Sequence, residues 1–301
     1  MVDRYINIFT DFGFKKIFGE EINKDLLMDF LNELLKGEQN IKELAYKKTE
    51  NLGASIVDRR AIFDLYCEND KGEKFIIEIQ KTKQKFFKER SLYYSTFPIV
   101  EQADPGDWDF QLKAVYTIAI LDFVFDDMDR DKTVVSHVQL MDTKKREVFY
   151  KKLTFVYLQM PNFNKTEDQL ESKFDKWLFV LKNLHKLRDR PKNLQERIFE
   201  KFFRSAEIAQ FTPGERVAYE DSLKYYRDLK NSFDTAREEG IAEGKAIGEA
   251  RGEARVTMKV AENLILMGEN NEKITQVTGL SIEEINTLRK KIDRPEPNGG
   301  G

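Results

Sequence analysis

Apolar and polar positions alternate through residues 59–90 in a way that predicts two paired strands, a tight turn and the start of a basic helix. In AIFDLY, Ile62, Asp64 and Tyr66 share one face of an extended segment, and Ala61, Phe63 and Leu65 share the other. In FIIEIQ, Ile76, Glu78 and Gln80 oppose Phe75, Ile77 and Ile79. Both strands are therefore apolar on both faces, as buried strands are, except where Asp64, Glu78 and Gln80 interrupt. The intervening DKG suits a three-residue hairpin loop, a type I turn closed by Gly72 in the left-handed conformation, which pairs Asn69 with Glu73. Counting back from that pair sets Asp64 opposite Glu78 on one face, with Cβ atoms roughly 4.5–5.5 Å apart. A loop of two or four residues would put them on opposite faces. Adjacent buried carboxylates raise each other's pKa unless a metal or a shared proton stands between them, and a metal is the reading carried forward.

Elsewhere the pattern is helical first, then extended, then helical again. Leu26, Leu27, Phe30, Leu31, Leu34 and Leu35 recur at three- and four-residue steps after Asn23, a candidate cap, and before Gly37, a candidate stop. Upstream, Asp11 and Lys15 lie one helical turn apart, read either as a solvated ion pair or as a contribution to the site. The segment after Gln80 reads as a helix bearing Lys81, Lys83, Lys85, Lys88 and Arg90 near its start, with Tyr94 one turn beyond Arg90. This is either a solvated charged face or a surface for phosphates. After a DPGDWD loop, AVYTIAILDFVF, TVVSHVQLMD and LTFVYLQM extend the sheet, and His137, Met141 and Cys67 read as packed residues. Residues 167–237 turn helical, with Trp177, Phe179 and Tyr225 assigned to the core and a restart at Thr212 and Pro213.

From Ala236 the composition changes. Gly240, Gly244, Gly248 and Gly252 recur every fourth residue, at a cost to an isolated helix of ~1 kcal/mol each relative to alanine. This is either a stripe for close helix packing, making a homo-oligomer through the C-terminal region, or a charged linker. The last ordered unit carries a capping box, Ser281 with Glu284, in helix-turn-helix arrangement. Glu283 and Glu284 at the head of the final helix have the wrong sign for reading DNA, which favours an interaction module.

Composition narrows the classes. The 301 residues are 41% hydrophobic and 34% charged, with a net charge of only −3, so nucleic-acid binding would rest on a local basic patch rather than on a global field. One cysteine excludes a disulfide framework and fits a reducing, cytoplasmic setting. Two distant histidines offer little for a zinc site, and no apolar run approaches the ~20 residues that span a bilayer, so no membrane association is expected.

The motifs TDFGFKKIFG, DLLMDFLNELL, FDLYCENDKGEKFIIEIQ, ERSLYYS, KWLFVLKNL and YEDSLKYYRD, with the Gly-Glu repeats, together resemble the Rpn family of recombination-promoting nucleases, transposase-like members of the PD-(D/E)XK superfamily. The resemblance is strong over residues 5–230. It implies an α/β fold, a PD-(D/E)XK nuclease-like mixed sheet flanked by helices and followed by a helical C-terminal region. The implied division is a nuclease-like core over 1–164, a helical extension packed on it over 165–235, a Gly/Glu-rich charged helix or linker over 236–255, a small helix-turn-helix-like module over 256–293 and a disordered tail over 294–301.

The resemblance also implies cleavage of DNA with Mg²⁺, or alternatively Mn²⁺. Asp64 and Glu78 match the family's metal-binding acids, and Gln80 falls where most of the superfamily has lysine. Glutamine recurs there in Rpn-like families. That leaves the lysine's role to be supplied from elsewhere, Lys83 and Lys85 being candidates, with Asp11 a further site residue and Lys81, Lys88, Arg90 and Tyr94 assigned to the DNA backbone. The rival expectation is a catalytically inactive DNA-binding or assembly protein that retains the fold.

Overall fold

The structure is a computed structural model that describes residues 3–48, 50–51, 61–103, 109–125 and 132–293. The chain divides into two compact units, Met1–Asn231 and Ser232–Gly301. Most of the expected DPGDWD loop and all of the 294–301 tail lie outside the described residues.

The first unit is built on a mixed sheet. In chain order the strands are β1 (Leu44–Tyr46), β2 (Glu50–Asn51), β3 (Ala61–Ile62), β4 (Leu65–Asn69), β5 (Lys74–Gln80), β6 (Val115–Leu121), β7 (Val135–Asp142) and β8 (Glu147–Gln159). Six of them form one sheet in the order β1-β4-β5-β6-β8-β7, while β2 and β3 pair separately. β5 runs parallel to β6 and β6 to β8, with antiparallel strands at both margins. Parallel strands covered on both faces are apolar along most of their length, and β5 and β6 are buried throughout.

Helices cover the two faces unequally. On one, α1 (Asp11–Phe18), α2 (Lys24–Leu34), α4 (Lys173–Asn183) and α5 (Arg197–Ser205) pack Phe14, Phe18, Phe30, Trp177, Phe199 and Phe202 against Leu65, Cys67, Phe75 and Ile77. On the other, α3 (Phe87–Val100) sets Phe87 against Val115, Leu121 and Tyr157, and brings Tyr94 and Phe97 onto Phe63, Tyr66 and Ile76. The helical residues after 165 thus share the core of the sheet.

α6 (Pro213–Leu266) begins under a capping box in which Thr212 and Glu215 exchange hydrogen bonds. The glycines at 240, 244, 248 and 252 are all helical, and a Cβ added to any of them would meet nothing within 4 Å. In the second unit, α7 (Asn271–Thr278) ends at Gly279 with φ 74°, and α8 (Ile282–Asp293) starts under the Ser281–Glu284 capping box. Ala261, Ile265, Ile274, Ile285 and Leu288 form its core.

Several expectations are corrected. The helix after β5 starts at Phe87, so Lys81, Lys83 and Lys85 lie on the connecting loop; the chain turns there through Phe86, whose φ is 63°. Phe63 packs on the α3 side with Tyr66, not with Leu65, because the strand is broken at Asp64. His137 and Met141 are exposed, since β7 is an edge strand; Cys67 is buried. Tyr225 is exposed, while Tyr219 and Tyr226 supply the buried face of that part of α6. Asn23 does not cap α2; its amide donates to the Lys16 carbonyl and its oxygen accepts from the Ser205 hydroxyl.

Candidate active site

The β4–β5 hairpin closes with three loop residues. The Asn69 amide donates to the Glu73 carbonyl at 3.1 Å, and Gly72 takes φ 76°. From there the register runs through Glu68 opposite Lys74 to Leu65 opposite Ile77, so the next step back sets Asp64 against Glu78.

At that step the side chains replace the ladder. A regular antiparallel pair would direct the Ile79 amide to the Phe63 carbonyl. Here it donates to Asp64 Oδ2 at 2.7 Å, and the Asp64 amide donates to Glu78 Oε1 at 3.3 Å. The backbone is thereby released at residue 63, which accounts for the side on which Phe63 packs. Each acid retains one carboxylate oxygen with no hydrogen-bond partner among the described residues.

Both acids are hard to ionise where they sit. Burial, followed by the charge of Asp64, pushes the Glu78 carboxyl up to about 8, against the pull of Arg90 and Lys15. Burial raises Asp64 as well; the Ile79 amide opposes this, Asp11 adds to it, and Lys15 and Lys81 pull against it. At neutral pH such a pair favours holding a proton or a cation.

Gln80, buried on the same strand, has both its amide nitrogen and its oxygen hydrogen-bonded. Its amide donates to the Thr82 carbonyl at 2.9 Å and its oxygen accepts from Arg90 Nη2 at 2.6 Å. Arg90 also bonds Gln84 and lies over the rings of Phe87 and Tyr94. Burial raises the Tyr94 hydroxyl, and the charges of Glu78 and Asp64 add to that rise.

Two further cations act on the acids through their charge. Lys15, on α1 and paired with Asp11 at 2.9 Å, bears on both Asp64 and Glu78. Lys81 is half-buried; burial lowers its pKa while Asp11 and Asp64 draw it up, and its Nζ stands 5.2 Å from the centre of the Tyr225 ring. Of the other candidates, Lys85 lies over Phe86, Lys88 over Phe125, and Lys83 is half-buried on the loop. Lys15 was visible in the sequence only as the partner of Asp11 at helical spacing; Tyr225 gave no signal. A separate cleft of about 1110 Å³, lined by Lys16, Asp25, Lys201 and Glu215 among others, contains none of these residues.

A family model for the PD-(D/E)XK nuclease family transposases matches residues 8–236, which include every element that frames the two acids. The chain belongs to this family. No curated protein and no solved structure matches it. As a member of the PD-(D/E)XK nuclease family transposases it carries a nuclease-like fold.

The family's nucleases use divalent metals, and the residues present suit a sparse site for one. Among the described residues no group of three or more His, Cys, Asp or Glu side chains gathers to hold an ion. Two carboxylates side by side, each with an oxygen to spare, match a hard cation that completes its shell with water and phosphate oxygens. No helix among the described residues is long and apolar enough to cross a membrane.

Proposed function

We propose that this transposase-family chain is a DNA endonuclease that hydrolyses phosphodiester bonds in recombination or mobile-element functions, using Mg²⁺ or, alternatively, Mn²⁺. The observation that carries the reading is the like-charge pair: Asp64, just before β4, stands against Glu78 on β5, its amide bonded to Glu78 Oε1, and both pKa values are raised, an arrangement a bound cation would relieve. Asp64 and Glu78 would hold the ion. When bound, it supplies an activated water nucleophile at neutral pH and neutralises charge building on the phosphate.

The protein groups divide the remaining work. Gln80 neither takes up a proton at neutral pH nor has a polar atom to spare, since Thr82 and Arg90 occupy its amide; it positions Arg90. Arg90 thus presents a fixed guanidinium to a phosphate, with Tyr94 beneath it. Lys81, made easier to deprotonate by burial, is the side chain we assign to the missing lysine's proton-handling role, and Lys15 to orienting Asp64 and Glu78. Asp11 completes the outer ring of charge through Lys15. Lys83, Lys85 and Lys88 contribute positive charge to the DNA side of the loop and α3.

The test is a supercoiled-plasmid cleavage assay with Mg²⁺. Asp64→Ala should abolish cutting while the chain still folds; unchanged cutting overturns the assignment. Glutamine at position 80, where most of the superfamily has lysine, favours the second reading, an inactive DNA-binding or assembly protein. Calorimetry separates the two: uptake of Mg²⁺ or Mn²⁺ by the wild type and not by Asp64→Ala supports the enzyme, and no uptake supports the rival. A homo-oligomer through the C-terminal helical region is tested by the solution mass of the full chain beside one ending at Ala236.

A further inference from the structure

On the connection that follows the strand bearing Glu78 stands a residue with a costly backbone and an unburied side chain. Phe86 occupies the cap position of α3 at φ 63° and ψ 29°, and the residue is 63% exposed. A bulky residue enters that left-handed region only under constraint, and a turn alone would be better served by glycine or asparagine. A core role would bury the ring. Neither explanation accounts for a phenylalanine there.

Its neighbours tie it to the site. The Phe86 carbonyl accepts the Arg90 amide at 3.0 Å, and Arg90 reaches both Gln84 and, at 2.6 Å, Gln80 on the strand that carries Glu78. Lys85 holds its Nζ 5.1 Å from the centre of the Phe86 ring. The same combination recurs on α6. Tyr225 is 62% exposed with Lys81 Nζ over its ring, and Lys81 lies in the field of Asp11 and Asp64.

We propose that Phe86 and Tyr225 are stacking surfaces for nucleobases, and that the DNA accepted at the acids is single-stranded or opened at the cut. The inference rests on the nuclease reading above. Exposed rings accompanied by cations are how proteins hold unpaired strands: each base offers a face to a ring and the adjacent phosphate meets the charge. In a closed duplex those faces are covered by neighbouring bases, so the rings have nothing to stack on unless the strand is already single or is pried apart. An apolar wedge on a constrained backbone suits that task, because it need not be ordered when the base arrives.

The experiment measures binding of the full-length chain without metal, so that it does not depend on cleavage. The probes are a single-stranded oligonucleotide carrying 2-aminopurine, the matched duplex, and the same duplex with a short central bubble. The wild type should bind the single strand and the bubble about tenfold or more tighter than the duplex and quench the 2-aminopurine. Phe86→Ala and Tyr225→Ala should each lose about tenfold on the single strand, and Phe86→Trp should retain affinity. Phe86→Gly should raise the melting temperature while weakening binding, a combination that a ring serving only the turn would not produce.

Equal affinity for duplex and single strand, or undiminished binding by Phe86→Gly, overturns the inference. Failure of the nuclease reading shows itself separately, as plasmid cutting that survives Asp64→Ala.

Discussion

The two ends of the β4–β5 hairpin carry carboxylates in the same cross-strand setting with opposite outcomes. Near the turn, Glu68 faces Lys74 and takes hydrogen bonds from Lys74 and Lys47; burial alone would raise its pKa, and the two lysines more than reverse this. At the open end, Asp64 faces Glu78, burial raises both, and the cations that reach them come from outside the hairpin. One end has completed its charge balance, with Lys74 across the ladder and Lys47 just after β1. The other has been left incomplete, and an incomplete pair of buried acids is where a cation-dependent chemistry can be placed.

The largest test of that contrast is activity. Glu78→Ala should reduce plasmid cleavage by roughly 10³-fold or more, while Glu68→Ala should leave it within a few-fold and instead lower the melting temperature. Comparable losses from both would remove the distinction.

Next comes the pH dependence of stability without metal. Glu78 is raised from 4.5 to about 8, so the unfolded chain gives up its proton first and the folded state loses stability as pH climbs through that window. Glu78→Gln should therefore be near neutral at pH 4 and stabilising at pH 8, on the order of a few kcal/mol, as read by chemical denaturation. The sign reverses at Glu68, whose lowered pKa supplies stability that disappears on acidification. Glu68→Gln should destabilise at pH 7 and do so less as the pH falls through the acid range.

Metal uptake links to the same proton. Calorimetry in buffers of different ionisation enthalpy should show proton release on Mn²⁺ binding at pH 7, and affinity should climb between pH 6 and pH 8. Uptake without proton release would mean that the ion sits elsewhere.

The smallest effect expected is at Gln80. Gln80→Lys restores the residue common in the superfamily but places a cation against Arg90, so cleavage should fall by a few-fold. A gain in activity would show that glutamine is a weakened substitute for the lysine rather than a clamp for Arg90.

Much of this arrangement was legible because it is local. Gly72 announces the turn, the turn sets the register, and the register places Asp64 beside Glu78; β5 and β6 declare their burial by being apolar on both faces. Lys15 was not legible, since its approach to the acids depends on how α1 packs on the sheet, and the same holds for Tyr225 on α6. The loop before α3 looked helical by composition; the left-handed turn at Phe86 overrides that preference, and nothing in phenylalanine signals it. Phe63 was misplaced for a similar reason: strict alternation assumes that every rung is backbone to backbone, and Asp64 takes one of them with its side chain.

That substituted rung has a practical consequence. The Ile79 amide is held by Asp64 Oδ2, one of the atoms nearest to any occupant of the site, rather than by a carbonyl indifferent to it. Its nitrogen-15 resonance and its solvent-exchange rate should therefore respond to occupancy while those of Ile77, one rung nearer the turn, stay still. The fold supplies an intrinsic gauge of when its two acids are engaged.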